Sequence, residues 1–224
     1  MTILSAILYF LSQHPLWSLP LIVLLFMVLG GILADRRKNP RWFGLTVAGF
    51  VLAIANVFLG HIVNALFLNA AGVEGSAVIV HSEQTSSTLN DAYIWDYDAV
   101  LKTADGQDVS FSFDTMTASI YPIRNEILIP PEGEVFTVKY VPGFPRNVVI
   151  LSDQSAYGRE RQIAQDMEPV EKAEAQLAFS PANTRFIEEY RQALRTFIAA
   201  HRADADPGLI EVYQEKLEAL PPPK

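Results

Sequence analysis

Two stretches of this chain have no polar face. Residues 16–34, LWSLPLIVLLFMVLGGILA, run 19 positions without a charged side chain, and residues 42–68 run 27 with no ionisable group except His61. About 20 apolar residues let a helix cross a hydrocarbon core of about 30 Å, so both stretches predict membrane-crossing helices. The second would reach about 40 Å at about 1.5 Å per residue. It must tilt, or carry its last turns out of the lipid. Ahead of Pro15, Ile3, Leu4, Ile7, Leu8 and Leu11 fall on one stripe of a short helix over 2–12. That stripe suits an interfacial helix or additional core packing equally well.

From Gly75 the period changes to two. GSAVIVHS reads as a short strand, and DAYIWDYDAVLK alternates, with Tyr93, Trp95, Tyr97, Ala99 and Leu101 on one face. Those aromatics are expected in a core rather than on a binding surface. Asp105 and Gly106 then mark a hairpin, and DVSFSFD is the return strand, with Val109, Phe111 and Phe113 inward. EVFTVKYV and RNVVIL are further strands separated by PGFP, while 115–131 has room for a turn of helix, a strand, or both.

After Leu151 the spacing is helical again. MEPVEKAEAQLAF aligns Val170, Ala173 and Leu177. In the next segment Ser180 is the expected N-cap with Pro181 at the first position, and Phe186, Ile187, Tyr190, Leu194, Phe197 and Ile198 form one stripe. Asp206 and Pro207 open a last helix carrying Leu209, Ile210, Tyr213 and Leu217, before Pro-Pro-Pro-Lys ends the chain. The last two helices read as an antiparallel hairpin. Their stripe must pack within the chain, on a second copy, or on a partner; Phe186, Ile187, Tyr190, Leu194, Phe197 and Tyr213 would form that partner surface.

Charge then orients the picture. Arg36, Arg37, Lys38 and Arg41, all between the two apolar stretches, are the only Lys or Arg among the first 101 residues. Short loops rich in Lys and Arg stay in the cytoplasm, so this turn is expected inside, with both termini and the main domain outside. In a bacterium, that places the chain in the inner membrane with its bulk in the periplasm. The tail before the first span has no basic residue, so the span reads as a permanent anchor rather than a cleaved signal.

Within the spans, Gly49, Ala53, Asn56, Gly60 and Asn64 share one face, and Gly30 and Ala34 form a small-xxx-small pair. Small residues allow close helix approach, and buried Asn can bond across it. His61 is the one candidate for membrane-embedded transport or haem chemistry, against a packing role.

The expected fold is thus an α+β membrane protein of three parts. A membrane anchor over 1–70 precedes a small antiparallel β-barrel or sandwich over 71–152, and a helical tail occupies 153–224. Overall composition agrees: of 224 residues 50% are hydrophobic and 19% charged, with a mean hydropathy of +0.19. The net charge of −8 argues against a nucleic-acid partner. With no Cys, disulfides and thiolate chemistry are excluded.

The glycine–small–valine after the second span, the Tyr-rich strand, the Asp-Gly hairpin and PPEGEVFTVKYVPGFPRNVVIL resemble a bacterial family of uncharacterised membrane proteins. That family joins transmembrane helices to a small β-domain ending in a G-x-x-V-x-V-x-Y-x-P-x-x-P-like pattern. Gly133, Val138, Tyr140, Pro142 and Pro145 occupy the matching positions, with Phe136 at a hydrophobic one. The likeness covers roughly 42–152 and implies the fold alone, since the family has no established activity. The motif itself is structural: Gly133 allows the turn into its strand, and the two prolines are expected to stop the ladder.

Catalytic patterns are missing from the sequence. His14, His61, His81 and His201 form no paired metal motif, and neither a G-x-S-x-G elbow nor a Walker loop occurs. Asp91, Asp96, Asp98, Asp105 and Asp108 lack the spacing of a calcium loop, so solvated carboxylates are expected. The expectation is a non-catalytic protein without cofactor or metal, lodged in the lipid bilayer, that binds a protein partner or a second copy as an accessory or scaffold subunit of an envelope complex. The alternatives are an immunity protein against a toxin acting in the periplasm, and a membrane-embedded enzyme or transporter component using His61.

Overall fold

The computed structural model describes residues 1–124 and 126–222, which form two compact units, 1–155 and 156 onward. Pro223 and Lys224, the end of the closing proline run, and Asn125 lie outside the described residues.

The first unit opens with α1 (Thr2–Gln13), α2 (Pro15–Arg37) and, after a single 3₁₀ turn at Pro40–Phe43, α3 (Gly44–Ala71). Proline suits the first position of a helix because its missing N–H would have had no partner there. Pro15 therefore starts α2 directly after His14, and α1 and α2 become separate helices. Lys38 in a left-handed conformation ends α2, and the Asn39 side chain accepts a hydrogen bond from the Arg41 N–H to open the 3₁₀ turn. α2 and α3 then pack along their length through small residues. A Cβ added at Gly30 would sit 2.8 Å from the Trp42 carbonyl oxygen, and one at Gly49 would overlap Phe26. Both helices are long and apolar enough to span a membrane.

A sheet of β1 (Val73–Leu89), β2 (Ala92–Lys102), β3 (Asp108–Asp114), β4 (Ile120–Tyr121), β5 (Val135–Val141) and β6 (Phe144–Leu151) completes the unit. Its order is β3-β2-β1-β5-β6-β4. The small antiparallel barrel or sandwich expected from alternation is not what forms; the six strands make one open, mixed sheet. The sheet curls so that β3 approaches β6 without pairing to it, and β4 joins β6 in parallel. Ala77, Ile79, Ala99, Leu101, Phe111, Phe136, Val138 and Ile150 fill the concave side. On the other side Val141, Val149 and Leu151 pack against Ala65 and Leu68 of α3. The long second helix thus spends its last turns on the sheet, one of the two outcomes its length required.

Strand detail departs from the alternation in three places. β1 is more than twice the length of the strand expected from GSAVIVHS, because a register shift between Ile79 and His81 lets it continue pairing with β2 as far as Leu89. Beyond that shift Tyr93 and Trp95 are solvent-facing, at 53% and 37% exposure, and only Tyr97 reaches the core, stacked on Phe113. Pro142 ends β5 as expected, but Pro145 lies inside β6. It falls where the ladder skips from the Val141–Phe144 pair to Tyr140–Val148, so no strand N–H is demanded of it.

The second unit is three helices: α4 (Ala156–Phe179), α5 (Thr184–His201) and α6 (Pro207–Glu218). The expected cap at Ser180 is displaced, since Asn183 accepts from the Arg185 and Phe186 N–H groups and α5 starts after it. Asp206 and Pro207 open α6 as read from the sequence. The hairpin stripe is not a free surface. Tyr190, Leu194, Phe197 and Tyr213 are buried against Val170 and Ala173 of α4, while Phe186 and Ile187 are half-buried. Each fully buried large apolar side chain contributes about 1.5–3 kcal/mol, so the stripe stabilises its own unit. His201, also buried, holds the end of α5 in place, with Nε2 2.8 Å from Asp166 of α4 and Nδ1 3.2 Å from Asp204.

Candidate functional site

The face shared by Gly49, Ala53, Asn56, Gly60 and Asn64 points inward, but at its two ends it does different things. Gly49 and Ala53 pack helix on helix, as Gly30 and Ala34 do from α2. From Asn56 upward the face turns polar and meets α1 and the sheet. The Asn56 amide donates to the Leu11 carbonyl and to Ser18 Oγ, both at 2.9 Å. About two turns further, Asn64 donates to Ser119 Oγ at 2.9 Å and to Asn147 Oδ1 at 2.8 Å. The Asn147 amide donates back to Asn64 Oδ1 at 2.8 Å and to the Ser5 carbonyl and hydroxyl at 3.1 Å.

This network gives α1 an inverted character. Ser5 and Ser12 face the protein and are buried, Thr2 and Gln13 donate to the Pro142 and Thr117 carbonyls, and Ile3, Leu4, Ile7 and Phe10 face outward. Of the stripe read from the sequence, Ile3, Leu4 and Ile7 point away from the protein, while Leu8 and Leu11 are half-buried.

On another flank of α3, at the same level, lies a cleft of about 460 Å³. Val57, Phe58, His61 and Ile62 form its α3 wall. The facing wall combines Tyr93 and Ile94 of β2 with Met116, Ile123 and Ile127 from the irregular segment after β3. Tyr93, Met116, Ile123 and Ile127 remain more than 40% exposed, so the rim is itself apolar. Arg124 also lines the cleft, and its guanidinium is held by both Asp153 carboxylate oxygens at 2.8 and 3.0 Å. His61 and Tyr93 are the residues singled out in the sequence that line this cleft, and among the described residues no three His, Cys, Asp or Glu side chains converge on a metal geometry.

Sequence reasoning missed most of this cleft. Its β wall depends on a hairpin between β1 and β2 turned by Asn90 and Asp91, both with positive φ. That is the two-residue turn that Asn and Asp tolerate, and LNDA between two strand-like runs was its signal. The segment 115–127 follows no period, so nothing in its pattern placed it against α3.

The outward strand positions carry acid. Between residues 71 and 155 twelve Asp and Glu stand against four Lys and Arg. Asp96 lies directly opposite both Glu83 and Asp114, and Asp98 opposite His81. Ser112 Oγ donates to Asp98 at 2.7 Å, and Asp114 accepts from the Met116 and Thr117 N–H groups. Asp105 and Asp108 flank the turn before β3, away from that row. The basic residues Arg36, Arg37, Lys38 and Arg41 lie at the end of the α2–α3 pair remote from the sheet, since α2 leads away from α1 and α3 returns to β1. No family model, curated protein or solved structure matches this chain.

Proposed function

We propose that this chain is a two-span inner-membrane protein that presents its acidic sheet and helical unit outside the cytoplasm to a protein partner, as a non-catalytic accessory or scaffold subunit. The observation that carries the reading is the buried Asn64–Asn147 network. It fixes the sheet to the apolar helix pair at several points, and a presented surface needs such a set attitude. Membrane insertion is supported by the exposure of the apolar helices: only 11% of the most apolar window of α2 is buried. A core helix of a water-soluble fold would be covered, and exposed apolar surface on this scale requires another phase or another protein. The outward apolar face of α1 suits the interfacial layer.

The basic turn would lie in the cytoplasm and the sheet outside, by retention of Lys and Arg. A carboxylate row across three strands favours a basic partner by complementarity and faster encounter. The likeness of 133–145 to a membrane β-domain family belongs to the same reading. Isolation of the full chain in mild detergent after cross-linking in its host membrane tests it. A stoichiometric protein partner, weakened by high salt and by Asp96→Lys, is expected. Recovery of the chain alone from cross-linked membranes would sink it, and loss of host function in His61→Ala with the partner still bound would favour chemistry in the spans instead.

A further inference from the structure

The cleft beside His61 has no role in that reading, and its chemistry selects an occupant. We propose that it takes an acyl chain of a bilayer phospholipid, entering sideways from the lipid phase between α3 and the wall made by β2 with Met116, Ile123 and Ile127.

Depth is the first reason. α1 crosses α3 where Asn56 donates to the Leu11 carbonyl, and the carbonyl also lies close to Gly60. With Ile3, Leu4, Ile7 and Phe10 outward, that crossing marks the level of the bilayer surface. The cleft begins at Val57 and Phe58 and ends at Ile62, on the same two turns of α3. Continuity is the second. Below the cleft, α3 exposes Val51, Ile54 and Phe58 in one apolar flank, and Phe58, 68% exposed, belongs to both flank and cleft. A chain lying along that flank reaches the cleft without crossing a polar barrier. Size and lining are the third. A volume of about 460 Å³ with apolar walls falls within the range of sites that enclose small apolar ligands.

The polar groups say which part of the lipid is recognised. Arg124 and Glu126 are the charged residues lining the cleft, and Asp153 engages Arg124 with both carboxylate oxygens. Its charge is thereby balanced, so the site selects the chain and not an anionic headgroup. The proposal rests on the reading that α2 and α3 span a bilayer, and its test separates the two.

The full chain is reconstituted in nanodiscs containing phosphatidylcholine with a photoactivatable diazirine near the end of one acyl chain, irradiated, digested and mapped by mass spectrometry. Adducts are expected on α2 and the lower part of α3, and also on residues 89–94 and 115–127. Adducts on α2 and α3 with none on 89–94 or 115–127 would overturn the cleft proposal while leaving the membrane reading intact. Absence of adducts from α2 and α3 would remove both. Ala92→Trp, at an exposed position lining the cleft, is expected to cut adducts on 115–127 at least five-fold with those on α2 unchanged; unchanged cleft adducts count against the site. Phosphatidylglycerol carrying the same chain is expected to label the cleft within two-fold of phosphatidylcholine, and a ten-fold preference for it would overturn chain recognition.

Discussion

Asn64 of α3 and Asn147 of β6 exchange hydrogen bonds, each side-chain amide donating to the other's oxygen at 2.8 Å, and neither is more than 1% exposed. They stand 83 residues apart in sequence. A buried amide that loses its partner keeps its full desolvation cost, about 1–3 kcal/mol. The pair therefore acts as a lock: satisfied, it fixes α3, α1 and the sheet in one register, and half-removed it destabilises all three.

Asn147→Leu is the sharper disruption, because it orphans the Asn64 oxygen and removes both bonds to Ser5 together. A loss of about 2–4 kcal/mol is expected, read as a fall in the unfolding midpoint of the full chain in detergent. The doubly substituted Asn64→Leu/Asn147→Leu chain should lose less than the sum of the single changes. Additive losses would show that the two amides do not act on each other.

The helix pair depends on bare backbone at Gly49. Because a Cβ there would overlap the Phe26 Cβ, which no rotamer moves, Gly49→Val must push α2 from α3, at about 1–3 kcal/mol. Phe26→Gly alone leaves a gap, whereas Gly49→Val with Phe26→Gly removes the clashing Cβ and refills that gap. The pair of changes should recover part of the midpoint lost by Gly49→Val. No recovery would mean that Phe26 is not what the glycine accommodates.

The outer strands test electrostatics. Asp96 faces carboxylates on both neighbouring strands, Glu83 and Asp114, and like charges directly opposite one another destabilise a sheet. Asp96→Asn is expected to raise stability by roughly 0.2–1 kcal/mol at low salt, and by less as salt screens the row. A gain independent of salt would point to something other than repulsion.

The helical unit has a pH limit of its own. Burial first, then the Glu174 carboxylate, raise the Tyr190 hydroxyl above the ordinary phenol value; burial likewise raises Tyr213. Lys216 is raised chiefly by its hydrogen bond to Glu174. In all three cases the folded form holds its proton more tightly than the unfolded chain does. Stability from these groups is complete below about pH 10 and is lost as pH rises through the folded values. Circular-dichroism melts of the full chain between about pH 8 and pH 11 should show a flat midpoint that then falls, with a shallower fall in Tyr190→Phe. A midpoint that rises through this window contradicts the assignment.

What could be read from the sequence and what could not divides on range. The two apolar helices, the small-residue face, the Asp206 cap and the strands at 92–102, 108–114 and 135–151 follow from local period and end signals, and the elements lie close to where those signals put them. The failure of the sheet to close, the fate of Tyr93 and Trp95, and the cleft were not legible. Each depends on contacts between distant segments: the register shift after Ile79 re-aims a strand, and an aperiodic segment meets α3. The same limit explains the α5–α6 stripe. Periodicity showed that Leu194 and Phe197 need cover, and only the path of α4 shows what covers them.

Orientation can be read with a single engineered thiol, because the chain has no cysteine. Asp105 sits at the exposed turn between β2 and β3, beside Gly106, which takes the positive φ. Asp105→Cys therefore introduces one thiol on the sheet without strain. With Arg36, Arg37, Lys38 and Arg41 retained inside, an impermeant maleimide added to intact spheroplasts should label it fully. Replacing those four residues with Gln while adding Lys to the segment before Pro15 removes the bias and reverses it, so labelling before lysis should fall several-fold. Full labelling in both chains would show that something other than the basic turn sets the direction of insertion. A thiol reached only after lysis in the otherwise native chain would place the sheet on the cytoplasmic side.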